Sequence, residues 1–415
     1  MQGTSWARRA GLIAAAIAAV ATAGCASESE SSLVLDGSWE RMDLWERRSS
    51  FDFDQVAAGN GSDTVAWLSR RQDDETGPLV YWEIRDGDDP AEFELPTLDD
   101  TLLIPVAVAA DGDGWAAVAV TRDRANGANT GLLAWHGRSG LADSADVEQA
   151  QPLTPPAGVA APPSSVSVGR SADHLVVTAL YDGQPVVWSR SGASSSSSGD
   201  GDGDGAWRSG ADGVDLGLDA GTGLRSLRVV GDGARLVLAG VDDDGTPHLW
   251  TSGDGSTWDA LSSGSLPRSA GSVALLAPLE KGSVAVGWLG DEESAPQNAT
   301  AATIQRLTAT ELVDEGVLEA APDDDVERVR LTGATVGPDE RLVVVGGALR
   351  PDSDRTPMAW VQDGDEWRAT DQEELTGHLD WEFRAIVATD DDRMIAVAAA
   401  LSHPDVESWQ WRPGD

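Results

Sequence analysis

The densest group of side chains able to do chemistry lies in HLDWEFR, where His378, Asp380, Trp381, Glu382 and Arg384 bring together an imidazole, two carboxylates, an indole and a guanidinium. An aromatic face beside both signs of charge suits a sugar ring or a peptide, because the ring stacks while charged groups fix its orientation. Two carboxylates are also what glycoside hydrolysis requires, one protonated and one ionised across a cleft. With 70 acidic residues in the chain, chance pairs abound and none singles itself out. Other chemistries have less to build on. No Gly-x-Ser-x-Gly elbow follows an apolar strand, and the five histidines are scattered. Cys25 is the only cysteine, which removes cysteine nucleophiles, cysteine-zinc clusters and disulfides from the mature chain.

A hard cation has one candidate site. Asp200, Asp202 and Asp204 alternate with glycines in the spacing that lets carboxylates wrap calcium. The positions that would complete the shell carry Arg208 and Ala211, and five serines precede the run, so the segment also reads as a low-complexity insertion. Apart from calcium at that run, no cofactor is expected.

The scaffold for these residues is written as a repeat. Short apolar strands end in Trp82, Trp135, Trp188, Trp250, Trp360 and Trp411, with TAATI at Ile304 filling the one gap. Successive spacings are 53, 53, 62, 54, 56 and 51 residues, and the long one contains the Ser/Gly/Asp run from 191 to 205. Upstream of each anchor, a polar turn opens a strand of small and β-branched residues, as in DGARLVLAG from Asp232 and DERLVVVGG from Asp339. A further apolar stretch precedes each turn, and a fourth strand follows where the repeat is best preserved, carrying Trp258 or Trp367. Four short antiparallel strands in a unit of about 50 residues, repeated seven times, predict an all-β, seven-bladed β-propeller over residues 33–415. The seventh unit ends without its fourth strand, while LDGSWERM from Leu35 supplies a turn and Trp39 at the other terminus. That N-terminal strand is expected to join the last blade, closing the ring and removing exposed edges.

SGDGSTW from Ser252 resembles the Asp-box of the bacterial neuraminidase repeat, Ser-x-Asp-Gly-x-x-Trp, and degenerate copies occur at 363–367 and 36–39. In that motif Asp accepts backbone N–H bonds, Gly takes the turn position and Trp packs between blades, so the resemblance implies architecture and leaves chemistry open. Neuraminidases use an arginine triad, a Tyr/Glu nucleophile pair and an acid/base Asp. Here only Tyr81 and Tyr181 exist, both at strand positions, and no Arg-Ile-Pro precedes the boxes, so sialidase activity is not expected.

In a propeller the loops from one blade's fourth strand to the next blade's first gather at one mouth of the central channel. Those junctions hold Arg47, Arg48, Asp100, Arg225, Arg268 and Asp325 beside the group from His378 to Arg384, and together they form the expected ligand-binding mouth.

At the N-terminus, Arg8 and Arg9 precede the apolar run 10–23, and Thr22-Ala23-Gly24 leads into Cys25. This layout is that of a secretory signal, and it resembles the lipobox of bacterial lipoproteins. The resemblance implies a signal peptide over 1–24, lipid on Cys25 and a short acidic tether over 26–32, with the body outside the cell membrane. The apolar run is shorter than the roughly 20 residues that span a bilayer. The Arg pair also resembles a twin-arginine export signal, although its surroundings fit poorly.

Removing 1–24 takes two arginines and no acid, so the net charge of −41 becomes −43. Such a field repels nucleic acid, anionic lipid and polyanionic substrates. The reading that fits best is a monomeric envelope lipoprotein that binds or scaffolds a protein, peptide or glycan on a propeller face. An extracytoplasmic glycoside hydrolase or lyase is the alternative, and a sensor subunit is a third.

Overall fold

The computed structural model describes twenty-eight β-strands between Gly37 and Pro413, together with many of the turns joining them. Residues 1–36 and the segments 43–56, 139–149, 192–206, 291–300 and 370–380 are the longest stretches outside the described residues. The strands form seven four-stranded sheets, each wound from an inner to an outer strand. Blade 1 runs from Ala57–Asn60 to Ala91–Glu94, blade 2 from Thr101–Asp111 to Gln151–Leu153, and blade 3 from Ser165–Arg170 to Arg208–Ser209. Blade 4 runs from Leu224–Gly231 to Asp259–Ala260, blade 5 from Ser272–Leu279 to Leu312–Glu319, and blade 6 from Arg328–Val336 to Glu366–Ala369. Blade 7 starts at Trp381–Ala388, passes through Met394–Ala400 and Val406–Pro413, and takes Gly37–Met42 as its outer strand. Each inner strand lies against the next in cyclic order, and blade 7 meets blade 1. The chain is therefore a seven-bladed β-propeller.

The seam falls where the repeat count places it. Trp39 stands opposite Trp411 in an antiparallel register running from Gly37 with Pro413 to Met42 with Ser408. The Trp39 ring tilts against Phe383 at 5.2 Å. Behind it, Val65, Trp67 and Trp82 of blade 1 share a buried cluster with Ala385, Ile395 and Val397 of blade 7.

The core occupies the gaps between blades rather than a single centre. Val176 and Val187 of blade 3 pack with Leu238, Trp250 and Trp258 of blade 4, and the pattern recurs between blades 4 and 5 and between blades 5 and 6. Second strands such as Leu236–Asp242 are buried along their whole length, because neighbouring blades cover both faces. A strand covered on both faces reads as a continuous apolar run, which is why the second strands of the repeat look alike. Outer strands such as Ala91–Glu94 alternate between exposed and covered residues, as expected of a rim.

The anchor tryptophans tie blades together through their indole N–H groups. Trp135 donates to the Pro96 carbonyl at 2.9 Å, Trp188 to Thr154 at 3.1 Å and Trp250 to Leu216 at 2.9 Å, in each case reaching the segment after the preceding blade's outer or last strand. Inner strands are laced by hydroxyls in the same way: Ser165 donates to Leu227 carbonyl oxygen, and Thr332 to that of Phe383. In the Ser252–Trp258 turn, Asp254 accepts the backbone N–H groups of Ser256 and Thr257 at 2.8 Å each. These bonds, that from Thr257 foremost, hold its carboxyl well below the ordinary Asp range. Gly255 takes φ +70° in this turn, and a side chain there would also strike Val176 of blade 3.

Candidate functional site

Five inner strands contain an extra residue, with register shifts between Pro105/Ala107, Leu224/Ser226, Val273/Leu275, Leu331/Gly333 and Phe383/Ala385. A bulge in a strand re-aims the side chain it carries. In blade 7 the bulged residue is Arg384, and in blade 6 it is Thr332, whose hydroxyl bonds blade 7 beside it. Arg384 reaches a central cavity of about 360 Å³, lined among the described residues by the inner strands of blades 2 to 7. Arg228 of blade 4 and Arg330 of blade 6 face the same cavity, whose other lining residues are Val, Ala, Leu, Ser, Thr and Pro.

Glu382 organises the arginines from behind. Its side chain has no exposure, and it receives Arg384 Nη1 at 2.7 Å, Arg330 Nη1 at 3.0 Å and Arg355 Nη1 at 3.0 Å. The chain permits this fit because Gly347 leaves room: a Cβ there would sit 2.8 Å from Glu382 Cβ. Four guanidinium groups thus share a region with one carboxylate. Burial pushes the Arg384 guanidinium down to about 10, with Arg330 and Arg355 adding repulsion that Glu382 partly offsets. Arg228 is likewise pushed down to about 10, first by burial and then by Arg330. Both stay charged at neutral pH, at the cost of desolvation and of repulsion from Arg330.

The residues expected at the mouth fare unequally. Glu382 and Arg384 come together as an ion pair. Trp381 is only 9% exposed, so its face is not an open stacking platform. Arg225 is exposed and donates to the Asp243 carbonyl, and Arg268 is exposed on the approach to blade 5. Arg47, Arg48, Asp100, Asp325, His378 and Asp380 lie outside the described residues, as do Cys25 and the calcium candidates Asp200, Asp202 and Asp204. Among the described residues, no three His, Cys, Asp or Glu side chains converge as a metal site would need. No helix among them is long and apolar enough to cross a membrane.

Three cavity or support residues escaped the sequence reading: Arg228, Arg330 and Arg355. The available signal was a guanidinium in mid-strand, as in LRSLRVVG and RVRLTGATV, where the repeat otherwise places small or apolar residues. The tyrosines stay at structural positions. Tyr81 donates to Glu83 at 2.8 Å and stacks on Trp115, with all three buried between blades 1 and 2. Tyr181 is buried, which raises its pKa. His248 bonds Asp242 at 3.0 Å and lies parallel to Trp250, a surface brace within blade 4.

No family profile matches the sequence, and no curated protein matches it. Among solved structures, the polysaccharide lyase Uly1 is similar with a TM-score of 0.48 and 10% identity, over 86% of this chain and 90% of that one. The Swd1 β-propeller domain from Myceliophteria thermophila scores 0.45 at 11% identity, over 91% and 100%. The six-bladed fucose-recognising lectin from Aleuria aurantia scores 0.41 at 9% identity, over 77% and 96%.

Proposed function

We propose that this is a lipid-anchored, extracytoplasmic binding protein that holds part of a glycan or peptide at its propeller channel. The observation that supports this reading is the convergence of arginines from blades 4, 6 and 7 on one cavity, beside a carboxylate already occupied by three guanidinium donors. A glycosidase needs two carboxylates facing each other across the substrate. Among the described residues the cavity lining offers cations, hydroxyls and apolar groups instead, an arrangement suited to gripping a ligand. In this reading Cys25 carries the lipid, residues 26–32 are the tether, and the acidic body stands off the anionic membrane as a monomer without nucleic-acid partners.

Two measurements test it. Cys25→Ser should move the protein from the membrane fraction to the soluble fraction, and unchanged membrane retention would remove the anchor from the proposal. Incubation of the purified protein with isolated envelope glycans and peptides should show retention of ligand without release of shorter products. Catalytic shortening of a polysaccharide would replace binding with the enzymatic alternative.

A further inference from the structure

Arg228 is the unexplained residue of the channel. Arg330, Arg355 and Arg384 all pair with Glu382, whereas Arg228 has no ion pair or hydrogen bond to its side chain among the described residues. It lines the cavity, and the neighbouring charge that acts on it is the like charge of Arg330. A cation held half-buried next to another cation is unfavourable in the unliganded chain. It becomes favourable when an anion enters, because charge-assisted hydrogen bonds from guanidinium to carboxylate or phosphate are shorter and stronger than neutral ones. Burial works in the same direction, since the interaction of opposite charges grows as water is excluded.

We propose that the channel binds a small oxyanion, carboxylate or phosphate, between Arg228, Arg330 and Arg384. The proposal rests on the binding reading above and names the chemistry of the ligand. Among the described residues, four guanidinium groups against one carboxylate leave room for an anion carrying more than one charge, or for the acidic group of one residue in a longer chain. A cavity of about 360 Å³ lies at the small end of ligand pockets, so it takes a unit of about monosaccharide size. The apolar stretch from Val106 to Ala109, which lines the same cavity, gives the uncharged side of such a unit a surface to rest on.

Calorimetric titration of the purified full chain with inorganic phosphate, D-glucuronate and D-glucose tests the idea. Saturable binding of phosphate or glucuronate, with none for glucose, is the expected result, and the arm that binds identifies the source of the oxyanion. Arg228→Gln should weaken that binding at least tenfold while the melting temperature of the unliganded protein stays level or rises, because the lost charge has no partner to abandon. Arg228→Lys, which keeps the charge, should recover part of the affinity. Equal binding of glucose and glucuronate, no saturable binding of either anion, or an Arg228→Gln variant that binds as the parent does would each overturn the oxyanion site. The binding reading would survive those results if envelope glycans or peptides were still retained uncut.

Discussion

Glu382 and Asp254 are both carboxylates held by donors, yet they answer to different tests. Glu382 is fully buried among guanidinium groups, so Glu382→Gln leaves three cations facing a neutral amide. The expected cost is about 3 kcal/mol, at the low end for a broken buried ion pair because Arg330 keeps about half its side chain in water. Denaturant unfolding measures it, and a loss near zero would show that the arginines do not depend on this carboxylate. Asp254 is exposed, and backbone N–H groups favour its deprotonated form in the folded chain. Its folded pKa lies below the unfolded value of about 3.9, so its stabilisation is complete above that value and is lost as pH falls through the folded pKa. The stability gap between the parent and Asp254→Ala should therefore close progressively in acid below about pH 4. A gap that stays constant down to pH 2 would contradict the turn's hydrogen bonds. Trp135→Phe deletes one interblade hydrogen bond and leaves a cavity at a fully buried position, for an expected loss of about 2–3 kcal/mol in denaturant unfolding.

At the scale of elements, the seam strand carries the most risk. Trp39 is buried in blade 7 against Phe383, and Trp39→Ala should cost about 3–5 kcal/mol while loosening Gly37–Met42 from Val406–Pro413. The uncovered edge of Val406–Pro413 would then template strand addition, visible as dimers and larger species on size exclusion. A variant that stays monomeric and fully stable would separate ring closure from Trp39. The element pattern was legible in the sequence because burial on both faces leaves continuous apolar runs and because Trp recurs at the third strand of six of the seven blades. Residues such as Glu382 and Arg384 were legible as a dense charged cluster at a blade junction. Arg228, Arg330 and Arg355 were not, because their convergence depends on which blades are neighbours across the channel and on bulges that leave no signature in composition. Trp381 read as a platform in sequence, yet an aromatic residue at the head of an inner strand is taken up by packing.

At the scale of the molecule, net charge and local field point in opposite directions. The chain carries −41, which repels polyanions from its outer surface, whereas the cavity collects guanidinium groups. An anionic ligand must cross the long-range field before meeting the short-range one. Raising salt from about 10 mM to about 150 mM shortens the Debye length from about 30 Å to about 8 Å, screening the approach more than the contacts inside. Association of a charged ligand, followed by stopped flow, should therefore accelerate over that range. A rate that falls steadily with salt would place the ligand outside the reach of the acidic surface. The pairing of Gly37–Met42 with Val406–Pro413 also bears on biogenesis. Gly37–Met42 is synthesised hundreds of residues before its partner Val406–Pro413, so a chain that has not yet reached the later strand presents an open sheet edge. Final locking is thus postponed until Val406–Pro413 has emerged, and nascent chains need protection from one another until then.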